Sequence, residues 1–288
     1  MTVPIRVALV GREILASRSP WMHEHEARAH GLALTYELVD FTARGLADAE
    51  LPRVLDALEA DGFIGVNVTY PFKQKAFALL GRLAPDAKRI GAVNTIRFRD
   101  RDSAGERLGF NTDIEGFADA VRTGLPGASL DSVVQVGAGG GGSATAFALI
   151  GLGTRRLTLF DASPRSAAAL AQRLGRAYAD REIAVGGEAD LATALHGASG
   201  LVNATPLGMA KSPGTPVRSE LIEPRHWVAD IVYFPLETQL LHDAAAKGCR
   251  TLDGSAMAVG QAAAAFEIFT GRAADRARML ASFRAFGR

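Results

Sequence analysis

The chain has 288 residues, of which 48% are hydrophobic and 22% are charged, and its formal net charge is +1. These values are ordinary for a soluble globular enzyme or carrier, and the length suits two domains of usual size. Because no basic stripe or block of like charge stands out, the sequence argues against nucleic acid or a membrane as partner. The apolar run of the N-terminal MTVPIRVALVG is too short for a signal peptide and is typical of a strand.

The single cysteine, Cys249, cannot form an internal disulfide. His23 and His25 are two residues apart, so on a helix they would face different sides and would not form a bidentate metal site. A sequence without a Cys/His cluster and without paired cysteines is predicted to belong to a metal-free cytoplasmic protein.

Short strands alternate with helices over the first 113 residues. Ser19 is predicted to cap a helix whose first position is Pro20. A polar turn, DRDSAGE, follows the fourth strand. The alternation predicts an α/β domain with a mainly parallel sheet. Strands are predicted at 5–10, 35–41, 63–68, 92–98 and 107–110, and further helices at 46–60 and 72–80.

The same alternation restarts after a helix at 113–123 and the breaker GLPGAS at 124–129. We therefore predict a first domain of residues 1–113, a second of residues 114–254, and C-terminal helices at 255–288 that return to the first domain. In the second domain the segment DSVVQVGAGGGGSATAF predicts a strand, a glycine-rich turn and a helix. Later strands are predicted at 156–160, 183–185, 200–202, 227–232 and 250–252.

The glycine-rich turn contains G-x-G-x-x-G as Gly137, Gly139 and Gly142. Alone the pattern is weak, but a β-branched strand precedes it and a helix-forming run follows it. Asp161 lies 22 residues beyond Gly139 at the end of the next strand, where a ribose-binding acid belongs. This order predicts a Rossmann dinucleotide-binding domain. The alternative is a flexible glycine loop with an unrelated acid downstream.

Polar residues cluster where the predicted strands of the first domain end, which is where open α/β sheets bind ligands. Two hydroxyls near a helix start suit a carboxylate, amide and hydroxyl groups suit a polyol, and a lysine near an aspartate suits proton transfer. Each residue also has an ordinary structural explanation, such as a helix cap or a surface lysine. The residues are Ser17, Ser19, Asn67, Thr69, Lys73, Asn94 and Asp113.

Together these motifs resemble those of the shikimate dehydrogenase family along almost the whole chain, and three segments, DSVVQVGAGG, ADIVYFPLET and GCRTLDG, resemble its quinate/shikimate branch. The matching motifs are S-x-S-P-x-M-H at 17–23, N-V-T-x-P-F-K at 67–73, G-A-V-N-T at 91–95, N-T-D at 111–113, V-G-A-G-G at 136–140, N-A-T-P-x-G-M at 203–209 and G-Q-A-A-x-A-F at 260–266.

The resemblance implies a role for each of these positions. Lys73, paired with Asp113, would take the proton from the C3 hydroxyl of the substrate while hydride leaves C3 for the nicotinamide. Ser17 and Ser19 would hold the carboxylate, and Tyr233 would lie near substrate and nicotinamide. Ring hydroxyls would be held by Asn67, Thr69, Asn94, Asp113 and Gln261. The cofactor would be bound by Gly137, Ala138, Gly139, Gly140, Gly142, Asp161, Arg165, Asn203, Thr205 and Met257.

The sequence departs from the family pattern at three positions. Ala16 stands where a histidine is common, and Tyr70 replaces a small aliphatic residue. These two departures leave open whether quinate or shikimate is the preferred substrate. Asp161 stands where NADP-using members carry Asn-Arg-Thr. Its carboxylate suits the ribose hydroxyls of NAD and repels the 2′-phosphate of NADP, although Arg165 could receive that phosphate.

The expected activity is therefore reversible oxidation of shikimate or quinate to the 3-dehydro acid, with NAD favoured over NADP, in aromatic amino acid biosynthesis or in quinate catabolism. One alternative is a related dehydrogenase acting on another cyclic acid, such as an amino-substituted shikimate. Another is a non-catalytic dinucleotide-sensing protein, which would not need Lys73 and Asp113 together. The expected assembly is a monomer or a homodimer.

Overall fold

The structure is a computed structural model that describes residues 4–98 and 106–286. Its chain forms two compact units. The first combines the described residues up to Thr112 with those from Val259 onward, and the second spans Asp113–Ala258. The prediction of two α/β domains, with C-terminal helices that return to the first, is confirmed.

Strands and helices alternate in both units. The first unit contains β1 (Ile5–Gly11), α1 (Ser19–Ala29), β2 (Leu34–Asp40), α2 (Leu51–Ala60), β3 (Gly65–Val68), α3 (Lys73–Ala78), β4 (Arg82–Leu83), α4 (Pro85–Ile90), β5 (Thr95–Arg97) and β6 (Leu108–Phe110). The second contains α5 (Asp113–Gly124), β7 (Ser132–Val136), α6 (Gly140–Gly151), β8 (Arg156–Phe160), α7 (Pro164–Ala177), β9 (Glu182–Val185), α8 (Leu191–His196), β10 (Gly200–Asn203), β11 (Trp227–Asp230), α9 (Gln239–Ala246) and β12 (Arg250–Leu252). The C-terminal helices are α10 (Gly254–Thr270) and α11 (Arg276–Ala285).

The two sheets differ in strand direction. The first has the order β2-β1-β3-β5-β6-β4, in which β5 runs antiparallel to both of its neighbours. The second has the order β12-β11-β10-β7-β8-β9, and all of its pairings are parallel. In each sheet the carboxyl ends of the parallel strands therefore meet at one edge, where ligands of α/β proteins bind.

Both faces of the first sheet are covered by apolar side chains. Val7 and Leu9 of β1 pack on one face with Phe266 of α10, whereas Ala8 and Val10 pack on the opposite face. A strand that is apolar on both faces is typical of a parallel sheet covered on two sides. Helix α10 is thus part of the core of the first unit.

Helix α11 is fixed to α1 through one buried carboxylate. Glu26 is fully buried and accepts two hydrogen bonds from the guanidinium of Arg278, at 2.7 and 2.8 Å, and one from the backbone of Asp275 at 2.8 Å. Burial opposes ionisation, but the bonds from Arg278, Asp275 and His30 hold the pKa of Glu26 below its usual value. A charge buried this deeply is stable only while it is paired.

Two local predictions are wrong. The helix predicted at 46–60 begins as a 3₁₀ turn at Asp48–Glu50, where the Glu50 side chain accepts from the backbone of Ala47 at 2.9 Å, and α2 starts only at Leu51. Ser19 does not cap α1, because Arg18 occupies the N-cap position. The short elements β4 and α4 were not predicted, and residues 100–105 of the DRDSAGE turn lie outside the described residues.

Among the described residues, no helix has the length and apolar character needed to cross a bilayer. In the same part of the chain, no group of three or more His, Cys, Asp or Glu side chains is arranged to hold a metal ion.

Candidate active site

The loop between β1 and α1, which carries the two predicted carboxylate-binding serines, is held by Asp40 at the end of β2. The carboxylate of Asp40 is buried and accepts from the backbone N–H of Glu13 at 3.1 Å and of Ile14 at 2.7 Å. Burial alone would raise its pKa, but these bonds and two from the following turn hold the pKa of Asp40 below its usual value. Ser17 is tied to the same loop, since its backbone N–H donates to Ile14 at 2.9 Å.

Ser17 and Ser19 lie side by side at the start of α1. The Ser17 hydroxyl donates to the Ser19 hydroxyl at 3.2 Å, and the Ser19 backbone N–H donates back to Ser17 Oγ at 3.3 Å. Burial raises the pKa of Tyr36, and an interaction with the Ser19 side chain opposes this rise.

A buried chain of polar side chains continues from Tyr36 across the sheet. The Tyr36 hydroxyl donates to Asn67 Oδ1 at 2.8 Å, and Asn67 Nδ2 donates to Thr95 Oγ1 at 2.9 Å. Asn94 Nδ2 then donates to Thr112 Oγ1 at 2.9 Å. We call this set the polar network; it consists of Ser17, Ser19, Tyr36, Asn67, Asn94, Thr95 and Thr112.

Strand pairing explains why residues distant in sequence meet in this network. Asn67 of β3 lies opposite Leu9 of β1 on one side and opposite Thr95 of β5 on the other. Asn94 is fixed beside β6 by its backbone N–H, which donates to Phe110 at 3.0 Å. Asn67, Asn94 and Thr112, from three separate motifs, are therefore neighbours in one unit.

The remaining residues predicted for the substrate site occupy element starts and a turn. Thr69 lies in the turn after β3, and its backbone N–H donates to Val10 at 3.0 Å. Lys73 is the first residue of α3 and is partly buried; its carbonyl accepts from Val93 at 2.9 Å. Gln261 lies partly buried in α10, within the first unit. Asp113, the buried first residue of α5, belongs to the second unit.

The glycine-rich turn of the second unit requires glycine for steric reasons at two positions. Gly137 has φ +107°, and a Cβ there would lie 2.5 Å from the backbone of Ala204. A Cβ on Gly142 would lie 2.2 Å from the Gly137 carbonyl oxygen. At Gly139, by contrast, a Cβ would meet no described atom within 4 Å, so this backbone faces open space.

Two buried side chains, Gln135 and Thr145, hold the glycine-rich turn in place. Gln135 of β7 donates through Nε2 to the carbonyls of Gly137 and Gly142, each at 2.8 Å. Gln135 is itself held by Thr145, whose hydroxyl donates to Oε1 at 2.9 Å. The turn therefore has a defined shape before any ligand binds.

Asp161 lies directly after β8 and is tied to the glycine-rich turn. Its Oδ2 accepts from the backbone N–H of Ala138 at 2.7 Å, and its Oδ1 accepts from Ser163 at 2.7 Å. Since an ionised carboxylate has about four acceptor sites, each oxygen retains capacity for one more donor. Arg165, in the first turn of α7, is exposed, and the described residues give its guanidinium no partner.

These features fit a dinucleotide. Helix α6 begins at Gly140, directly after the open backbone of Gly139. The N-terminus of a helix favours the binding of phosphate groups. A carboxylate with spare acceptor capacity follows the neighbouring strand, as ribose binding requires.

Asn203 and Thr205, predicted to lie beside the nicotinamide, hold the loop after β10. Asn203 Nδ2 donates to the Leu207 carbonyl at 2.9 Å and to Asp230 Oδ1 at 3.0 Å, while its Oδ1 accepts from the Thr205 hydroxyl at 2.7 Å. Burial raises the pKa of Asp230, although hydrogen bonds from Val232, Thr238 and Asn203 oppose this. Of the other predicted residues, Met257 is buried in α10 and Tyr233 is exposed after β11.

The sequence did not single out several residues that hold the site together. Thr95 and Thr112 belong to the recognised motifs G-A-V-N-T and N-T-D, so their polar character was a usable signal. Tyr36 lies in β2, where a tyrosine is typical of a core residue. Its partner Asn67 is 31 residues away, and only the fold shows that they meet.

Comparison with known proteins identifies the family. Residues 9–96 match the shikimate dehydrogenase substrate binding domain, and residues 254–282 match the shikimate 5′-dehydrogenase C-terminal domain. The chain is 48% identical to the shikimate dehydrogenase (NADP(+)) of Pseudarthrobacter chlorophenolicus, over 96% of this chain and 93% of that protein. The chain belongs to the shikimate dehydrogenase family.

Other members of the shikimate dehydrogenase family carry different names and cofactors. The quinate/shikimate dehydrogenase (NAD(+)) of Corynebacterium efficiens is 44% identical, over 97% of each chain. The solved structure of quinate dehydrogenase from Corynebacterium glutamicum in complex with NAD superposes with a TM-score of 0.92 at 41% identity, covering 98% of this chain and 99% of that one. The resemblance drawn from the motifs is thus confirmed at the level of the family.

Proposed function

We propose that this shikimate dehydrogenase family member reversibly oxidises the C3 hydroxyl of shikimate or quinate, with NAD as its preferred cofactor. The observation that carries the proposal is the polar network, which places two serine hydroxyls and a line of hydrogen-bonded amide and hydroxyl groups within one unit. A ring that carries one carboxylate and several hydroxyls matches this order of groups. The names of the relatives support the same substrate class.

In the proposal, different side chains hold the two ends of the substrate. Ser17 and Ser19 hold the carboxylate through their hydroxyls, because serine donors at a helix start suit an anion. Ring hydroxyls are held by Asn67 and Asn94, together with Thr69, Asp113 and Gln261.

Lys73 carries the proton transfer in this proposal. During oxidation its Nζ accepts the proton of the C3 hydroxyl, and during reduction it returns that proton. Asp113 is the second member of the proposed acid/base pair. When bound, the nicotinamide supplies the hydride acceptor. Tyr233 and Met257 are the residues proposed to lie beside it, with Asn203 and Thr205 shaping the adjoining loop.

The preference for NAD rests on Asp161, because the relatives' names include both cofactors. Two backbone hydrogen bonds hold this carboxylate on the rigid turn, so it cannot swing away from an approaching phosphate. Two like charges about 4 Å apart at an effective dielectric of about 20 repel by roughly 4 kcal/mol before screening. The ribose hydroxyls of NAD, in contrast, find an acceptor there.

The test is kcat/KM for quinate, shikimate and an amino-substituted shikimate, each with NAD and NADP. We expect turnover of quinate or shikimate, with a kcat/KM at least about tenfold higher for NAD than for NADP. A difference of this size remains even if salt screening removes much of the repulsion between Asp161 and the 2′-phosphate. Asp161→Asn should lose most of that preference. Arg165→Ala, which removes an exposed guanidinium without a partner among the described residues, should keep it.

Each part of the proposal fails separately in this experiment. No turnover of either acid with either cofactor would contradict the activity and favour a sensing protein. Turnover of the amino-substituted acid alone would favour the related dehydrogenase. Equal or better use of NADP by the wild type, or unchanged selectivity in Asp161→Asn, would contradict the role of Asp161.

A further inference from the structure

Tyr36 brings one hydroxyl into the middle of the polar network. Its ring packs in the core between β2 and the C-terminal helix α10, with 5% of the residue exposed. The ring of His23 lies against it, with centroids 4.7 Å apart, and burial lowers the pKa of His23 to about 3, so this neighbour is neutral. The Tyr36 hydroxyl contacts Ser19 and donates to Asn67.

Backbone groups fix the direction of the hydrogen bonds at the far end of the network. The Thr112 N–H can only donate, and it does so to Asn94 Oδ1 at 2.8 Å. The Nδ2 group of Asn94 must therefore face the Thr112 hydroxyl. The Thr95 hydroxyl also donates to Asn94 Oδ1, at 3.0 Å, which leaves Thr95 Oγ1 as an acceptor for Asn67.

The same argument fixes the Asn67 amide. Its Nδ2 donates to the Asn94 carbonyl at 3.3 Å and to Thr95 Oγ1 at 2.9 Å, so both of its N–H donors are used. Only Oδ1 retains capacity, because an amide oxygen has two lone pairs and Tyr36 occupies one. A substrate hydroxyl that binds Asn67 must therefore donate to it.

We infer that Tyr36 is a positioning residue for substrate binding, which orients Asn67 as the acceptor of a ring hydroxyl. The inference rests on the proposed function and adds a residue to it. Burial raises the pKa of Tyr36, although an interaction with the Ser19 side chain opposes this, so the hydroxyl stays protonated and remains a donor. Without that hydroxyl, Oδ1 of Asn67 would lose the one donor that the described residues give it, and the amide would be held only through its Nδ2 group.

The test combines Tyr36→Phe with Asn67→Ala. Tyr36→Phe keeps the ring in the core and should raise KM for the acid by about tenfold, the usual scale for one buried hydrogen bond. We expect kcat and the KM for NAD to stay within about twofold, because the lost contact is equally strong in the ground and transition states. In the Asn67→Ala background, the same change should raise KM little further, because Tyr36 acts through Asn67.

Tyr178→Phe is the matched control, since it removes a tyrosine hydroxyl from the second unit and should leave KM for the acid unchanged. An unchanged KM in Tyr36→Phe would overturn the inference, and so would an additive effect in the double variant. If Tyr36→Phe does not fold, Thr95→Val frees one Asn67 N–H by removing its acceptor and should raise KM similarly; an unchanged KM there would overturn the inference.

Calorimetric binding of shikimate separates this inference from the proposed function. If the wild type binds shikimate but does not turn it over, the enzymatic activity is contradicted. A higher Kd for shikimate in Tyr36→Phe than in the wild type would still support the role of Tyr36. A wild-type Kd in that variant would contradict it.

Discussion

The polar network of the first unit and the glycine-rich turn of the second are built in opposite ways. Both lie where parallel strands end, but the network consists of side chains from the start of α1, from β2, β3 and β5, and from the segments beside β5 and β6. The turn consists of backbone, and it is shaped by the absence of side chains at Gly137 and Gly142. Substitutions that remove a polar group should therefore weaken substrate binding by the network while preserving the fold. Substitutions that add a methyl group should instead disturb the glycine-rich turn.

The largest effect should come from the chemistry beside the polar network. Lys73→Ala removes the proposed acid/base and should lower kcat on the order of 10²-fold, while the substrate still binds. Lys75→Ala is the matched control, because Lys75 lies two residues further on and pairs with Asp48 at 2.6 Å on the surface. Steady-state rates of both variants test this prediction. A near-normal kcat in Lys73→Ala would show that Lys73 is not the acid/base.

A methyl group in the turn should have the next largest effect, and its position should decide which property changes. Gly139→Ala places a methyl group in open space, so the fold should be preserved. The KM for NAD should rise roughly tenfold or more, because the methyl group keeps the pyrophosphate from approaching the backbone. Gly142→Ala would force its Cβ against the Gly137 carbonyl and should destabilise the unit without any ligand. Thermal unfolding and cofactor titration separate the two; equal melting temperatures would contradict this comparison.

Deleting one hydroxyl from the network should have a smaller effect. Ser17→Ala should raise KM for the acid by about tenfold with little change in kcat, because the carboxylate is bound equally in ground and transition states. The KM for NAD serves as the internal control and should not move. If KM for quinate and for shikimate both stay at the wild-type value, Ser17 does not contact the carboxylate.

The smallest effect should be one on stability, at the loop that presents the serines. The folded pKa of Asp40 lies below its unfolded value, so its contribution to the free energy of unfolding is present above the unfolded pKa, about 3.9, and is lost as pH falls through the folded pKa. Asp40→Asn keeps one acceptor oxygen and should cost roughly 1 kcal/mol at pH 7.

Urea unfolding between pH 7 and pH 3 measures this difference. The gap between wild type and Asp40→Asn should shrink toward pH 3, whereas Asp131→Asn, which alters an exposed carboxylate, should behave like the wild type throughout. A gap that stays constant with pH would show that the Asp40 charge is not what stabilises the loop.

The sequence predicts periodic features of the fold better than interactions across it. The strand Arg156–Phe160 was predicted at its observed bounds, because an apolar run with β-branched and aromatic residues ends on an acid. Helix α5 was likewise predicted to begin at Asp113. The short helix α4 was missed, because six residues are too few to establish a helical period.

The candidate site shows the same limit. Local motifs identified Ser17, Asn67 and the glycine-rich turn, because their spacing is visible along the chain. Gln135 and Tyr36 were not identified, because one lies within an apolar strand and the other in an alternating one. Their importance depends on partners brought near by strand pairing or by the return of the chain, which no local pattern contains.

The return of α10 to the first unit has a consequence for synthesis on the ribosome. The second unit is continuous in sequence, so it can fold as soon as residue 258 has emerged. The first unit, although it starts earlier, must wait for Phe266 and Phe269 to cover Val7 and Leu9 of β1. Until then an apolar sheet face stays open to solvent, and chaperones would find their target in the N-terminal half of the nascent chain.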